Sequence, residues 1–221
     1  MILKSYKVEQ DISLINDKLI LFYGQNLGLQ NDFKIKIKLK NKDSIIINID
    51  QEEILKNKDS FFSKVLNFSL FEKKKIFFIN NTSDKIIAIL EEIVPKVKEN
   101  IFYLFAGLLD KKSKLRNHFE RSGNTATIAC YQDNEISIKQ LILNKLKDFE
   151  GLNSQNLNII INNSNLDRSK LYNELEKIIL FFNNKKIESK KLESLLNINE
   201  NNDFNNLKDE ALSGNKVRTN K

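Results

Sequence analysis

Near the start of the chain, two glycines follow an apolar run. In "YGQNLGLQND" (23–32), Gly24 and Gly28 sit between a strand candidate and a helix candidate, where parallel α/β sheets commonly hold a phosphate. A working phosphate loop needs G-x-x-x-x-G-K-[S/T]: backbone N–H groups to cradle the phosphates, a lysine to reach the outer ones and a hydroxyl on the metal. Here three residues, not four, separate Gly24 from Gly28, and Leu29 and Gln30 stand where the lysine and the hydroxyl belong. No apolar run ends in adjacent acidic residues that would supply a metal carboxylate; "INID" offers Asp50 alone. The stretch therefore reads as a degenerate phosphate loop, and no nucleotide hydrolysis is expected. An atypical hydrolase would need a lysine and a carboxylate that are absent at workable spacing.

The remaining catalytic vocabulary is thin. His118 is the single histidine and Cys130 the single cysteine, too few for a zinc site or a second nucleophile pair. Glu52–Glu53 and Glu91–Glu92 are sequence neighbours on expected helices, so their side chains diverge and read as solvated faces. No catalytic residue, metal or cofactor is expected.

The net charge is +7 and the isoelectric point about 9.2. A basic balance favours polyanions such as nucleic acid, although a lysine-rich composition produces the same charge without any such function. "DKKSKLR" (110–116) is the densest basic stretch of the first half after the lysines at 73–75. Lys111, Lys112, Lys114 and Arg116 are its candidates for phosphate contacts, with a solvated helix face as the alternative. No aromatic residues interleave with them, so a stacking platform for single strands is not indicated. One cysteine permits no internal disulfide, in keeping with a reducing cytosol. The first residues lack a long apolar stretch with a cleavage site, and no segment approaches the ~20 apolar residues of a membrane span. A cytoplasmic protein with no membrane partner is expected.

A different kind of site lies in "NFSLFEKKKIFFIN" (67–80), where Phe68, Leu70 and Phe71 cluster just ahead of three lysines. The spacing of Leu66 and Leu70 allows them a place in the core on a helix. They read equally as an apolar hook left out for a partner.

These residues need elements to position them. Five short apolar runs, "KLILFYG" (18–24), "SIIINID" (44–50), "KKIFFIN" (74–80), "NIFYLFAG" (100–107) and "TATIACY" (125–131), are mostly continuous rather than alternating. That is the pattern of strands buried on both faces. Helical spacing lies between them: Ile86, Leu90, Ile93 and Val97, with Asp84 as a cap and Pro95 ending the helix near Ile93; then Leu108, Leu115 and Phe119, stopped by Gly123. Strand–helix alternation predicts an α/β fold with a parallel sheet covered on both faces. After Tyr131 the pattern becomes helical. Asp133 or Asn134 caps a helix with Ile138, Ile142, Leu146 and Phe149 on one face, ended by Gly151; Asp167 caps another with Leu171, Leu175, Ile178 and Phe182. The run Ile159–Ile161 fits helix or strand. An α/β domain over 1–134 and a small helical domain over 135–200 are expected, with 201–221 as the start of a further domain or a polar tail.

Taken in order, these segments resemble the delta-subunit family of bacterial DNA polymerase III, the clamp-loader subunit that opens the sliding clamp. "LILFYGQNLGLQND", "NFSLFEKKKIFFIN", "IFYLFAGLLDKKSKLRNHFE", "TATIACYQDNEISIKQLI", "SKLYNELEKIILFF" and "DEALSGNK" carry the likeness along nearly the whole chain. The resemblance implies an AAA+-like Rossmann-type domain followed by a helical lid-like domain. It implies a non-catalytic component of the DNA-directed DNA polymerase (nucleotidyltransferase) holoenzyme, with ATP hydrolysed by neighbouring subunits. It also implies that Phe68, Leu70 and Phe71 enter an apolar pocket of the clamp (the beta subunit), with Ser69 as a small spacer. Burying each such side chain is worth about 1.5–3 kcal/mol before ordering costs. Further implied partners are the other loader subunits and primer-template DNA in the assembled loader. The family's third, collar domain would begin near residue 214, and the chain ends at Lys221, so a chain lacking that collar is expected, and its joining the pentamer is left open.

Overall fold

Runs of apolar residues too short for helices, and too continuous for a half-exposed sheet, must pair with covered neighbours on both sides. In the computed structural model, which describes residues 1–67, 74–97 and 99–196 with Lys208 and Leu212, they do so. In chain order the elements are β1 (Ile2–Leu3), α1 (Ser5–Gln10), β2 (Leu19–Tyr23), α2 (Leu27–Lys40), β3 (Ile45–Asp50), α3 (Gln51–Lys56), α4 (Lys58–Leu66), β4 (Lys75–Asn80), α5 (Ile87–Ile93), β5 (Ile101–Ala106), α6 (Lys114–Arg121), β6 (Thr125–Ala129), α7 (Glu135–Lys145), α8 (Ser154–Ser164), α9 (Arg168–Phe181) and α10 (Ser189–Leu195). The chain divides into two compact units, Met1–Gln132 and Asp133–Lys221.

In the first unit, six strands form one sheet in the order β1-β6-β2-β5-β4-β3, and every pair is parallel. Side chains alternate between its faces. Leu21, Phe77, Phe102 and Leu104 pack on one face with Phe61 and Val65 of α4, Leu90 and Ile93 of α5, and Leu115 and Phe119 of α6. Ile20, Phe22, Phe78, Phe105 and Ile128 pack on the other with Val8 of α1 and Leu29, Phe33 and Ile37 of α2. The expected α/β class with a parallel sheet is thus the observed one.

Four details differ from the sequence reading. β1 adds a strand of two residues, too short for any periodic signal. β3 lies at the sheet edge, and of its residues only Ile49 is buried, so "SIIINID" is not covered on both faces. Leu108 is exposed ahead of α6 rather than on its buried face, and Ser122, not Gly123, closes that helix. Asp84 does not cap its own helix through its side chain: its Oδ1 accepts from Leu115 N (2.8 Å) and Ser113 Oγ (2.8 Å), and so caps α6 across the fold. Those backbone and side-chain donors, Leu115 first, hold the Asp84 carboxyl below the usual range. As anticipated, Pro95 follows the end of α5, within a single 3-10 turn.

The second unit is helical. Ile138 and Ile142 of α7, Leu157 and Ile160 of α8, Leu171, Leu175 and Ile178 of α9, and Leu192 of α10 form its core. Residues 159–161 are helix, inside α8. Asn134 caps α7 in a reciprocal box with Ser137, which leaves Asp133 to pair with Arg168 in two contacts of 2.6 and 2.9 Å. Gly151, at φ +87°, carries the chain past the end of α7; a Cβ there would sit 2.3 Å from the Ile187 carbonyl oxygen. Among the described residues, no helix is long and apolar enough to cross a membrane. The expectation for 201–221 falls outside the described residues apart from Lys208 and Leu212.

Candidate functional site

In an open parallel sheet, the ligand-binding crevice lies beyond the carboxyl ends of the strands where successive connections leave in opposite directions. That point is at β2, which sits between β5 and β6. Its carboxyl end is Tyr23, followed by the Gly24–Gly28 turn and α2. Asn26 starts the helix by accepting Leu29 N on its side chain (2.9 Å).

The donors of this turn are used within the protein. Gly24 N bonds to the carbonyls of Gly107 (3.0 Å) and Ala106 (3.3 Å), and Asn26 N to that of Cys130 (3.1 Å). Leu27 N bonds to Gln25 O, and Gln30 N to Asn26 O. A phosphate cradle works by presenting such N–H groups to the ligand, and here five of them end on protein oxygens.

Gln30 completes the closure. Its amide is buried and donates from Nε2 to Ala106 O (2.9 Å) and Gly24 O (3.1 Å), tying α2 to the ends of β2 and β5. Gly24 lies flat against β6 at φ +138°, and a Cβ there would come within 2.1 Å of Cys130 O. The glycine is thus required by close approach to a strand. Gly28 is the second residue of α2.

Next to the turn, Tyr23 Oη lies 3.3 Å from Tyr131 Oη, with the rings edge to face. Burial, and then the bond to Tyr131, pushes the Tyr23 hydroxyl's pKa upward. The Arg116 guanidinium lies 5.0 Å over the Tyr23 ring, a cation–π contact. Its Nε donates to Glu120 Oε1 (2.8 Å) and its Nη1 to Leu109 O (3.3 Å). The bond to Glu120 raises the Arg116 pKa further. Arg116 is thus engaged inside the fold, whereas Lys111 and Lys112 in the turn before α6 and Lys114 at its start are exposed. The sequence brought Gly24 into view. It marked Gln30 only as a missing hydroxyl and did not identify the Tyr23–Tyr131–Arg116 group, whose members lie far apart in the chain.

His118 is half-buried on α6, its Nδ1 3.6 Å from Glu91 Oε1. Both line a surface cavity of about 620 Å³ with Lys18, Leu90, Pro95 and Thr125, at the amino ends of β2 and β6 and so opposite the phosphate-loop position. Cys130 is buried. Among the described residues, no three His, Cys, Asp or Glu side chains group so as to hold a metal ion. Phe68, Ser69, Leu70 and Phe71 lie outside the described residues; α4 ends just before them and β4 begins just after.

No family model matches the chain, and no curated protein matches it in sequence. Solved structures do match in fold. The Bacillus subtilis DNA clamp loader delta protein (YqeN) superposes on 95% of this chain and 68% of its own length, at 17% identity and a TM-score of 0.59. The Thermotoga maritima RuvB Holliday junction branch migration motor matches 87% of this chain and 65% of its own, at 13% identity and a TM-score of 0.51. A point-substituted form of the same motor matches 87% of this chain and 68% of its own, at 14% identity and a TM-score of 0.53. These likenesses establish an AAA+-type fold similar to that of a clamp loader delta protein.

Proposed function

We propose that this chain is a non-catalytic clamp-loader subunit of the delta type, which binds the sliding clamp and opens it during DNA replication in the cytoplasm. The observation that carries this reading is a fold similar to a clamp loader delta protein over 95% of the chain, built around a phosphate-loop position whose donors bond internally. A subunit of this kind has no use for a hydrolytic site of its own, and the Gln30 closure is consistent with that.

In this proposal the clamp is held by Phe68, Leu70 and Phe71, with Ser69 between them, in an apolar pocket of the clamp's surface. A few apolar side chains that share one pocket are enough to form a hot spot. If the protein binds the open ring more tightly than the closed one, binding shifts the ring toward opening by mass action. Other loader subunits and primer-template DNA are the further partners, the DNA being met in the assembled loader. The test is calorimetric titration of the sliding clamp with the chain and with Leu70→Ala/Phe71→Ala. Binding by the former and none by the folded double variant is expected; equal binding by both overturns the proposal.

A second reading, a basic nucleic-acid-binding domain, draws on the +7 charge and the exposed Lys111, Lys112 and Lys114. It predicts strongly salt-dependent DNA binding by the isolated chain, tighter than binding to the clamp.

A further inference from the structure

The last carbonyls of a helix have no donor within the helix and must find one elsewhere. At the end of α4 that donor set is unusual. Lys75, the first residue of β4, sends its ammonium to Asn67 O (2.7 Å) and Lys64 O (3.3 Å). Asn100, just before β5, gives its amide N–H to Val65 O (3.0 Å). Both side chains are buried, Lys75 at 8% exposure and Asn100 at 1%.

Burying a lysine is costly. β4 is an interior strand, paired on both sides. Lys75 alternates with Phe77 and Ile79, whose side chains pack in the cluster that contains Phe61 and Val65 of α4. An apolar residue would continue that pattern. What lysine supplies instead is a cation at the negative end of a helix and a bond across the gap between Asn67 and Lys75. Asn67 is the residue from which the 68–73 segment departs, and Lys75 follows its return. The Asn100 amide oxygen is also buried at this corner, with no donor among the described residues.

We infer that Lys75 and Asn100 are positioning residues for the apolar segment 68–73. They fix the point where it leaves α4 and the point where it rejoins the sheet, so that part of the ordering cost of presenting Phe68, Leu70 and Phe71 is met before a partner arrives. This rests on the clamp-binding reading above. The matching partner is a protein surface with an apolar pocket for those three side chains. Ordering costs for a few side chains correspond to a factor of about ten to a hundred in affinity, so loss of the tether should weaken binding by that factor without abolishing it.

The experiment titrates the sliding clamp with the full chain and with Lys75→Met, Lys75→Arg, Asn100→Leu and Leu70→Ala/Phe71→Ala, at a temperature where melts show each variant folded. A free peptide of residues 66–75 competes in parallel. The inference expects Lys75→Met and Asn100→Leu to weaken binding about tenfold or more, toward the peptide's affinity. Lys75→Arg should stay near wild type, and backbone amides at 68–73 should exchange faster in Lys75→Met. Wild-type affinity in folded Lys75→Met overturns the inference and leaves clamp binding standing. If Lys75→Met does not fold, wild-type affinity in Asn100→Leu overturns it. No clamp binding by the wild-type chain overturns the clamp-binding reading, and this inference with it.

Discussion

Replacing Gln30 by glutamate tests whether the phosphate-loop position is closed from within. The wild-type amide donates two hydrogen bonds, to Gly24 O and Ala106 O. A carboxylate there would face two carbonyl oxygens with nothing to donate, in a position only 4% exposed. It can avoid a buried charge by binding a proton. At pH 7 that costs about 1.36 kcal/mol for each pH unit above the glutamate pKa of about 4.3, or roughly 3.7 kcal/mol. The protonated acid restores one of the two bonds, and the other is worth about 1 kcal/mol. Gln30→Glu should therefore lose about 4–5 kcal/mol at pH 7 and only about 1 kcal/mol near pH 4. The sign follows from a folded pKa raised above the unfolded one: the acid's stabilising contribution is present below about pH 4 and is lost as pH rises through the folded value. Gln30→Met removes both donors without adding a charge, so its smaller loss should not vary with pH. Urea unfolding of the three proteins at several pH values, followed by circular dichroism, reads these differences. A Gln30→Glu protein as stable as wild type at pH 7, or one whose deficit does not shrink on acidification, would refute the closure.

Two further predictions concern the frame. Arg168→Met should cost the helical unit about 3–5 kcal/mol, because it strands the Asp133 carboxylate, whose side chain is 4% exposed; adding Asp133→Asn should recover part of the loss in thermal melts. Asp84→Asn should weaken the cap on α6 by less than about 1 kcal/mol, since Asp84 is exposed and its charge is screened. With a depressed folded pKa, the wild-type contribution is present above about pH 4 and fades as pH falls through the folded value, so the difference between melts of the two proteins should vanish in acid.

The sheet was largely legible because β2, β4, β5 and β6 are continuous apolar runs, and such runs have few alternatives to an interior strand. β3 has the same composition but lies at the edge. Whether a strand has one neighbour or two is decided by the whole sheet, and nothing in "SIIINID" encodes it. Asp84 shows a related limit. A carboxylate ahead of a helix looks like that helix's cap, and only the packing of α6 against the turn reveals that it serves another. In the candidate site, the missing lysine and hydroxyl of the phosphate loop could be read directly. The closing bonds could not, because Gln30 reaches Ala106 and Arg116 reaches Tyr23 across spacings that no local motif carries. Phe68, Leu70 and Phe71 gained a role in the sequence through resemblance alone: three apolar residues beside lysines fit a core as well as a hook.

The most direct test of the account is the affinity of the sliding clamp for this chain, measured beside that of the Leu70→Ala/Phe71→Ala variant and in competition with a peptide spanning 66–75. The account predicts saturable binding by the chain, displacement by the peptide at higher concentration, and no binding by the double variant when its circular dichroism and melting match wild type. Binding that survives the double substitution, or a folded chain that ignores the clamp while holding DNA, would contradict it.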